Sequence, residues 1–265
     1  LMKTSQTTIF DLTGKVCVII GGAGLIGTDF SRRCATHGAT VVIVERNEKK
    51  GQALAKRICE NGGTAVFEQC DTTDEVSVVR LVERVWKRFK RVDGLVNAAH
   101  FSTGRPGESM LEVPYSDFLE YLGMHVGGPF LAAREFAKKM IKQKSGSIVF
   151  MGSIYGGTAP RFEIYEGTSQ TVRAEYAAAK AALVHLARFL AKYLGPHGIR
   201  VNVLSPGAVQ NKQTHSVVKA YNKQVVLGKR MAHPDDISPA LIFLFSEASK
   251  YVTGQNLIID GGWTL

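Results

Sequence analysis

The sequence predicts an α/β protein with a Rossmann-type, doubly wound parallel sheet of about seven strands and helices on both faces. Three observations predict it. Short β-branched apolar runs alternate with longer segments of helical period. Those runs are almost continuously apolar, as strands covered on both faces are. A glycine-rich turn also joins the first run to the first helical segment. Composition agrees: 265 residues, 45% hydrophobic and 21% charged, exclude a disordered or fibrous chain. No linker, repeat or low-complexity stretch divides the chain, so 1–265 is expected to be one domain.

The first strand, 15–20, runs into Gly21-Gly22-Ala23-Gly24-Leu25-Ile26-Gly27 and a helix at 25–37. Glycine permits a tight turn and close approach of the backbone to a pyrophosphate, and the helix N-terminus offers free N–H groups to the anion. The second strand, 40–44, ends at Glu45, an acid about 20 residues on that suits the ribose hydroxyls of an adenosine. It would repel a 2′-phosphate, which favours NAD, while the adjacent Arg46 leaves NADP open. Helices around 48–61 and 74–89 flank a third strand at 65–69, and the fourth strand spans 94–97. An irregular loop, 100–114, follows it, before a helical stretch at 115–143 and the fifth strand at 147–151. A second irregular loop, 156–173, precedes a helix at 174–195. Strands at 200–204 and 256–259 and a helix at 235–246 complete the pattern, with a mobile segment expected after Pro206-Gly207. Both loops leave strand C-termini, so both are expected over the ligand crevice as substrate loops.

Two further sites carry chemistry. Tyr176 and Lys180 are four apart on one helix, so the ammonium can sit near the phenol. A nearby cation lowers a phenol's pKa from about 10 and makes it a usable proton-transfer group. Ser153 closes the fifth strand and places a hydroxyl at the crevice edge, where it can hold a substrate oxygen. Tyr165 has no lysine four residues on and is passed over for the same role.

In this order the motifs resemble the short-chain dehydrogenase/reductase superfamily, in its single-domain branch. The likeness takes in Leu12-Thr13-Gly14-Lys15, Asp71, Asn97-Ala98-Ala99, Ser153 with Tyr176 and Lys180, and Arg200-Val201-Asn202. It continues through Ser205-Pro206-Gly207, Thr253-Gly254-Gln255 and Asp260-Gly261-Gly262. The resemblance implies that Ser153, Tyr176 and Lys180 are catalytic. It implies a cofactor site of Gly21, Gly24, Leu25, Ile26, Glu45, Arg46, Asp71, Thr72, Asn97, Ala98, Ala99, Pro206, Gly207 and Val209, shared by Tyr176 and Lys180. Asp71 would contact adenine, Asn97 would support sheet and cofactor, and Pro206-Gly207 would border the nicotinamide. It also implies a homotetramer or homodimer built on the helices at 115–143 and 174–195.

Three departures stand out. Ile20 replaces the usual threonine and Leu25 the middle glycine, giving the spacing of the longer, sugar-nucleotide-modifying branch. His125 aligns with the family's helix asparagine and can itself relay protons, so it joins the catalytic candidates. Ser153 and Tyr176 are 23 residues apart, longer than usual, and the extra segment is expected to form a lid. Residues 159–169 resemble a subgroup linked to flagellin and surface-glycan modification.

The expected function is NAD(P)-dependent interconversion of a secondary alcohol and a ketone on a polar, sugar-derived or anionic small molecule. His100, Arg105, Arg161 and Arg173, in or beside the two loops, are the candidate substrate contacts, because arginine matches carboxylate and phosphate oxygens. The alternatives are a sugar-nucleotide epimerase or dehydratase that retains NAD, and a non-catalytic cofactor-sensing regulator. The net charge of +10 is spread over helical faces such as Lys49-Lys50, Lys87-Arg88 and Lys138-Lys139, without interleaved aromatics. No nucleic-acid or membrane partner is therefore expected. Cys17, Cys34, Cys59 and Cys70 have neither metal-ligand nor disulfide spacing, so no metal is expected. Residues 1–8 lack the apolar core of a secretion signal, which makes the cytoplasm the expected location.

Overall fold

Seven parallel strands form one sheet in the order β3-β2-β1-β4-β5-β6-β7. They are β1 (Val16–Ile20), β2 (Thr40–Glu45), β3 (Thr64–Gln69), β4 (Gly94–Asn97), β5 (Gly146–Met151), β6 (Ile199–Pro206) and β7 (Asn256–Ile259). The structure, a computed structural model, describes residues 9–100 and 110–265. The strand order reverses between β1 and β4, which opens a crevice beyond the strands' C-terminal ends.

The helices are α1 (Leu25–Thr36), α2 (Glu48–Glu60), α3 (Glu75–Phe89), α4 (Tyr115–Leu122), α5 (Gly128–Gln143), α6 (Ala174–Leu194), α7 (His215–Gln224) and α8 (Pro234–Phe245). Alternation along β1 shows how they are layered. Val16, Val18 and Ile20 pack with Leu81 of α3, Phe136 of α5 and Leu183 of α6. Cys17 and Ile19 pack with Phe30 of α1, Leu54 of α2 and Leu241 of α8. The inner strands are thus buried on both sides, which is why their runs read as continuously apolar, while the edge strands β3 and β7 are only partly covered.

Two elements differ from the sequence expectation. The helix expected at 115–143 is interrupted by a π-type turn, Gly123–Gly127. Three glycines (Gly123, Gly127, Gly128) weaken the helix there, and Pro129 lacks the N–H that would bond the carbonyl of residue 125. The segment after Pro206-Gly207, expected to be mobile, contains α7. That helix buries Val217 and Tyr221 in a third cluster with Ile154, Ile164, Met231 and Trp263. Among the described residues no helix is long and apolar enough to cross a membrane.

Candidate active site

The turn from β1 to α1 is built for close approach. Gly21 adopts φ +71°, and a Cβ there would lie 2.6 Å from the Ala99 backbone. At Gly27 a Cβ would come within 2.0 Å of the Gly21 carbonyl oxygen. Gly24 caps α1 without a side-chain hydrogen bond, and the helix has no acid in its first turn. Its N-terminal N–H groups and dipole are therefore available to an anion. This cradle fits a dinucleotide pyrophosphate.

It opens into a crevice of about 730 Å³. Gly21, Gly24, Leu25, Ile26, Glu45, Arg46, Asp71, Thr72, Ala98 and Ala99 line one end. Ser153, Tyr176, Lys180, Pro206, Gly207 and Val209 line the other, with His100 and Arg173. Asn97 is buried beneath the lining: its Oδ1 accepts the Ala99 N–H at 3.1 Å and braces the turn against which Gly21 packs. At the adenosine end, Glu45 Oε1 accepts the N–H groups of Arg46 at 2.9 Å and Asn47 at 3.3 Å. The Arg46 guanidinium lies 4.0 Å from Asp71. Partial burial pushes the Asp71 carboxyl up, but hydrogen bonds from Thr73 and the Arg46 charge leave it below its ordinary range.

At the other end, β5 delivers Ser153 and α6 delivers Tyr176 and Lys180. The Lys180 ammonium donates to the Met151 carbonyl at 2.7 Å and lies 5.6 Å from the Tyr176 ring centre. Burial lowers its pKa to about 8. Tyr176 departs from expectation, since its phenol is raised rather than lowered. Burial is the main cause, a hydrogen bond with Ser153 offsets part of it, and the nearby Tyr165 adds to it.

Two candidates stand off the crevice wall. His125 is buried in the π-type turn, stacked on Tyr121 at 4.0 Å and tilted against His100 at 5.2 Å. His125 is not among the residues that line the crevice. His100 opens onto the crevice, and burial, with the charges of Lys180 and Arg173, lowers its pKa to about 4. Arg161 turns to α7 and the chain's end: its Nη1 donates to Gln224 at 2.7 Å and its guanidinium sits 4.5 Å over the Trp263 ring. It is absent from the crevice lining because those partners hold it. Arg105 lies outside the described residues.

Arg173 does line the crevice, with Glu175 at 3.3 Å and the Tyr121 ring at 4.9 Å. The sequence reading missed Tyr155, Asn211, Gln213 and Tyr221, which also line it. Polar and aromatic residues following strand ends were the available signal.

Against known proteins, the family model described as enoyl-(acyl carrier protein) reductase matches residues 22–264. The chain belongs to the short-chain dehydrogenase/reductase superfamily. It is 32% identical over 257 residues to post-translational flagellin modification protein A of Campylobacter coli, covering 96% of this chain and all of that protein. Among solved structures it is similar to a gluconate 5-dehydrogenase from Burkholderia cenocepacia in complex with NADP and tartrate. The TM-score is 0.88 at 28% identity, covering 97% of this chain and 98% of that one. A short-chain dehydrogenase from Leptospira borgpetersenii with bound NAD+ gives a TM-score of 0.85 at 29% identity, covering 97% and 95%. Membership makes the chain a nicotinamide-dependent oxidoreductase acting on CH–OH donors. The epimerase, dehydratase and regulator alternatives gain no support from these relatives.

Proposed function

We propose that the enzyme interconverts a secondary alcohol and a ketone on a polar, sugar-derived small molecule, with Ser153, Tyr176 and Lys180 as catalytic residues. The observation that carries this reading is their convergence on the crevice that the glycine turn opens. Gly21, Gly24 and the α1 N-terminus would hold the pyrophosphate, Glu45 and Asp71 the adenosine, and Pro206, Gly207 and Val209 the nicotinamide. When bound, the nicotinamide supplies the hydride acceptor or donor.

The protein's own groups do the rest. Ser153 donates a hydrogen bond from its hydroxyl to the substrate oxygen and fixes its position, keeping its own proton. Tyr176 takes the hydroxyl proton in oxidation and returns it in reduction. Because burial raises the phenol, it needs a cation nearby to work as a base near neutrality, and the 5.6 Å from the Lys180 ammonium to the Tyr176 ring centre supports Lys180 in that role. His125 acts behind His100, as a relay neighbour rather than a substrate contact. The loop 156–173 covers the substrate, and His100 and Arg173 touch it. Arg173 supports an acidic group on the substrate, although Glu175 already shares its charge.

NAD is the proposed preference, because Glu45 would repel a 2′-phosphate. Arg46 keeps NADP usable. Exposed Phe130 on α5 and the stacked, exposed Phe189 and Tyr193 on α6 support assembly as a homotetramer or homodimer through those helices. A panel of sugar alcohols and hydroxy acids, with and without phosphate, tests the proposal by NADH formation. Net NADH formation with a non-phosphorylated member is expected. Product formation with no net NADH change would instead identify an epimerase or dehydratase.

A further inference from the structure

Tyr155 and Tyr165 line the crevice with Ser153 and Tyr176, and the chemistry above uses neither. Their phenol oxygens lie 3.4 Å apart. Tyr155 stands two residues past Ser153, whose Oγ accepts its N–H at 3.2 Å, and its ring meets Trp263 edge-on at 5.9 Å. Tyr165 comes from the segment that lengthens the interval between Ser153 and Tyr176. Ile164 beside it is buried in the third cluster, and the Thr168 N–H and hydroxyl both donate to the Tyr165 carbonyl, at 3.1 and 2.7 Å. Both rings are therefore fixed from behind, independently of any ligand.

Burial raises both phenols, and for Tyr155 the hydrogen bond with Tyr165 adds to it. They stay protonated through the neutral range. In such a pair one hydroxyl donates to the other, which leaves one O–H and free lone pairs for a ligand. An uncharged donor and acceptor together complement a hydroxyl, whereas a carboxylate or phosphate calls for positive charge. Tyr165 lies close enough to Tyr176 to influence its ionisation, and Tyr176 influences Tyr155 in the same way. Because the pair lines the same crevice as Ser153 and Tyr176, and Tyr155 is tied to Ser153 through its N–H, a substrate whose oxygen meets Ser153 and Tyr176 brings its next carbon towards the pair.

We infer that Tyr155 and Tyr165 form a specificity-determining pair that holds a second hydroxyl on the carbon adjacent to the reacting one. The enzyme then selects vicinal diols and polyols over isolated secondary alcohols. This rests on the reading of Ser153, Tyr176 and Lys180 as the alcohol-oxidising site.

The test measures kcat/KM of the full chain with NAD on 2,3-butanediol, 2-butanol and threitol. The first two have the same carbon skeleton and differ by the neighbouring hydroxyl. The wild type is expected to favour the diol by about tenfold, the scale of one hydrogen bond. Tyr165→Phe and Tyr155→Phe should each collapse most of that ratio, and the double variant should lose little more, since the two hydroxyls act as a unit. A ratio, unlike an absolute rate, is insensitive to how much of each variant folds. A wild type without preference for the diol, or variants that keep the preference, overturns the inference and leaves the alcohol-oxidising site standing. A wild type that oxidises none of the three overturns both.

Discussion

Lys180 is carried into the interior with the Met151 carbonyl 2.7 Å from its ammonium. Its pKa falls to about 8 from 10.5 because burial penalises the charged form. Between those values the unfolded chain binds a proton that the native state has released, so this group makes stability rise with pH across that window. Lys180→Met removes the effect. The melting temperature of the variant relative to wild type should therefore be highest below pH 8 and decline as pH rises towards 10.5. A difference that stays flat from pH 7 to 10 in thermal denaturation would contradict the burial account. That Ser153, Tyr176 and Lys180 meet in one crevice was legible because it depends on residue type, local spacing and their places at strand and helix ends. The direction of the Tyr176 shift was not, because it depends on how deeply tertiary packing buries the phenol. Arg161 was misread for a related reason: its partners, Gln224 and Trp263, come from α7 and the chain's end.

Among elements, the turn between β1 and α1 has the least room for change. A methyl group at Gly27 would press on the Gly21 carbonyl, so the turn must shift away from the geometry that receives a pyrophosphate. Gly27→Ala is expected to weaken NADH binding by about tenfold or more in a fluorescence titration, with the far-UV circular dichroism largely kept. Unchanged affinity would show that the turn does not hold the dinucleotide. All seven strands were readable to within a residue or two, because a parallel sheet covered by helices writes its burial into apolar runs, most fully in the inner strands. The π-type turn and α7 were not. The first depends on Pro129 re-registering a ladder within an otherwise helical pattern, and the second is a short helix anchored by only two buried residues, Val217 and Tyr221.

For the whole molecule, the positive charge has little to say about the ligand. Several of its cations on helices are matched by nearby acids, as Arg84 is with Glu68 of β3 and Lys139 with Glu83 of α3. At the reacting end of the crevice, Arg173 brings its own counter-charge in Glu175. What defines the molecule is a sheet whose reversal point opens a crevice lined by the glycine turn and by Ser153, Tyr176 and Lys180. The most direct test compares wild type with Tyr176→Phe, measuring both turnover and NADH affinity on the same preparations. Turnover is expected to fall by at least about a hundredfold, the scale of a lost general acid–base group, while NADH binds as before. Turnover near the wild-type rate in that variant would contradict the account.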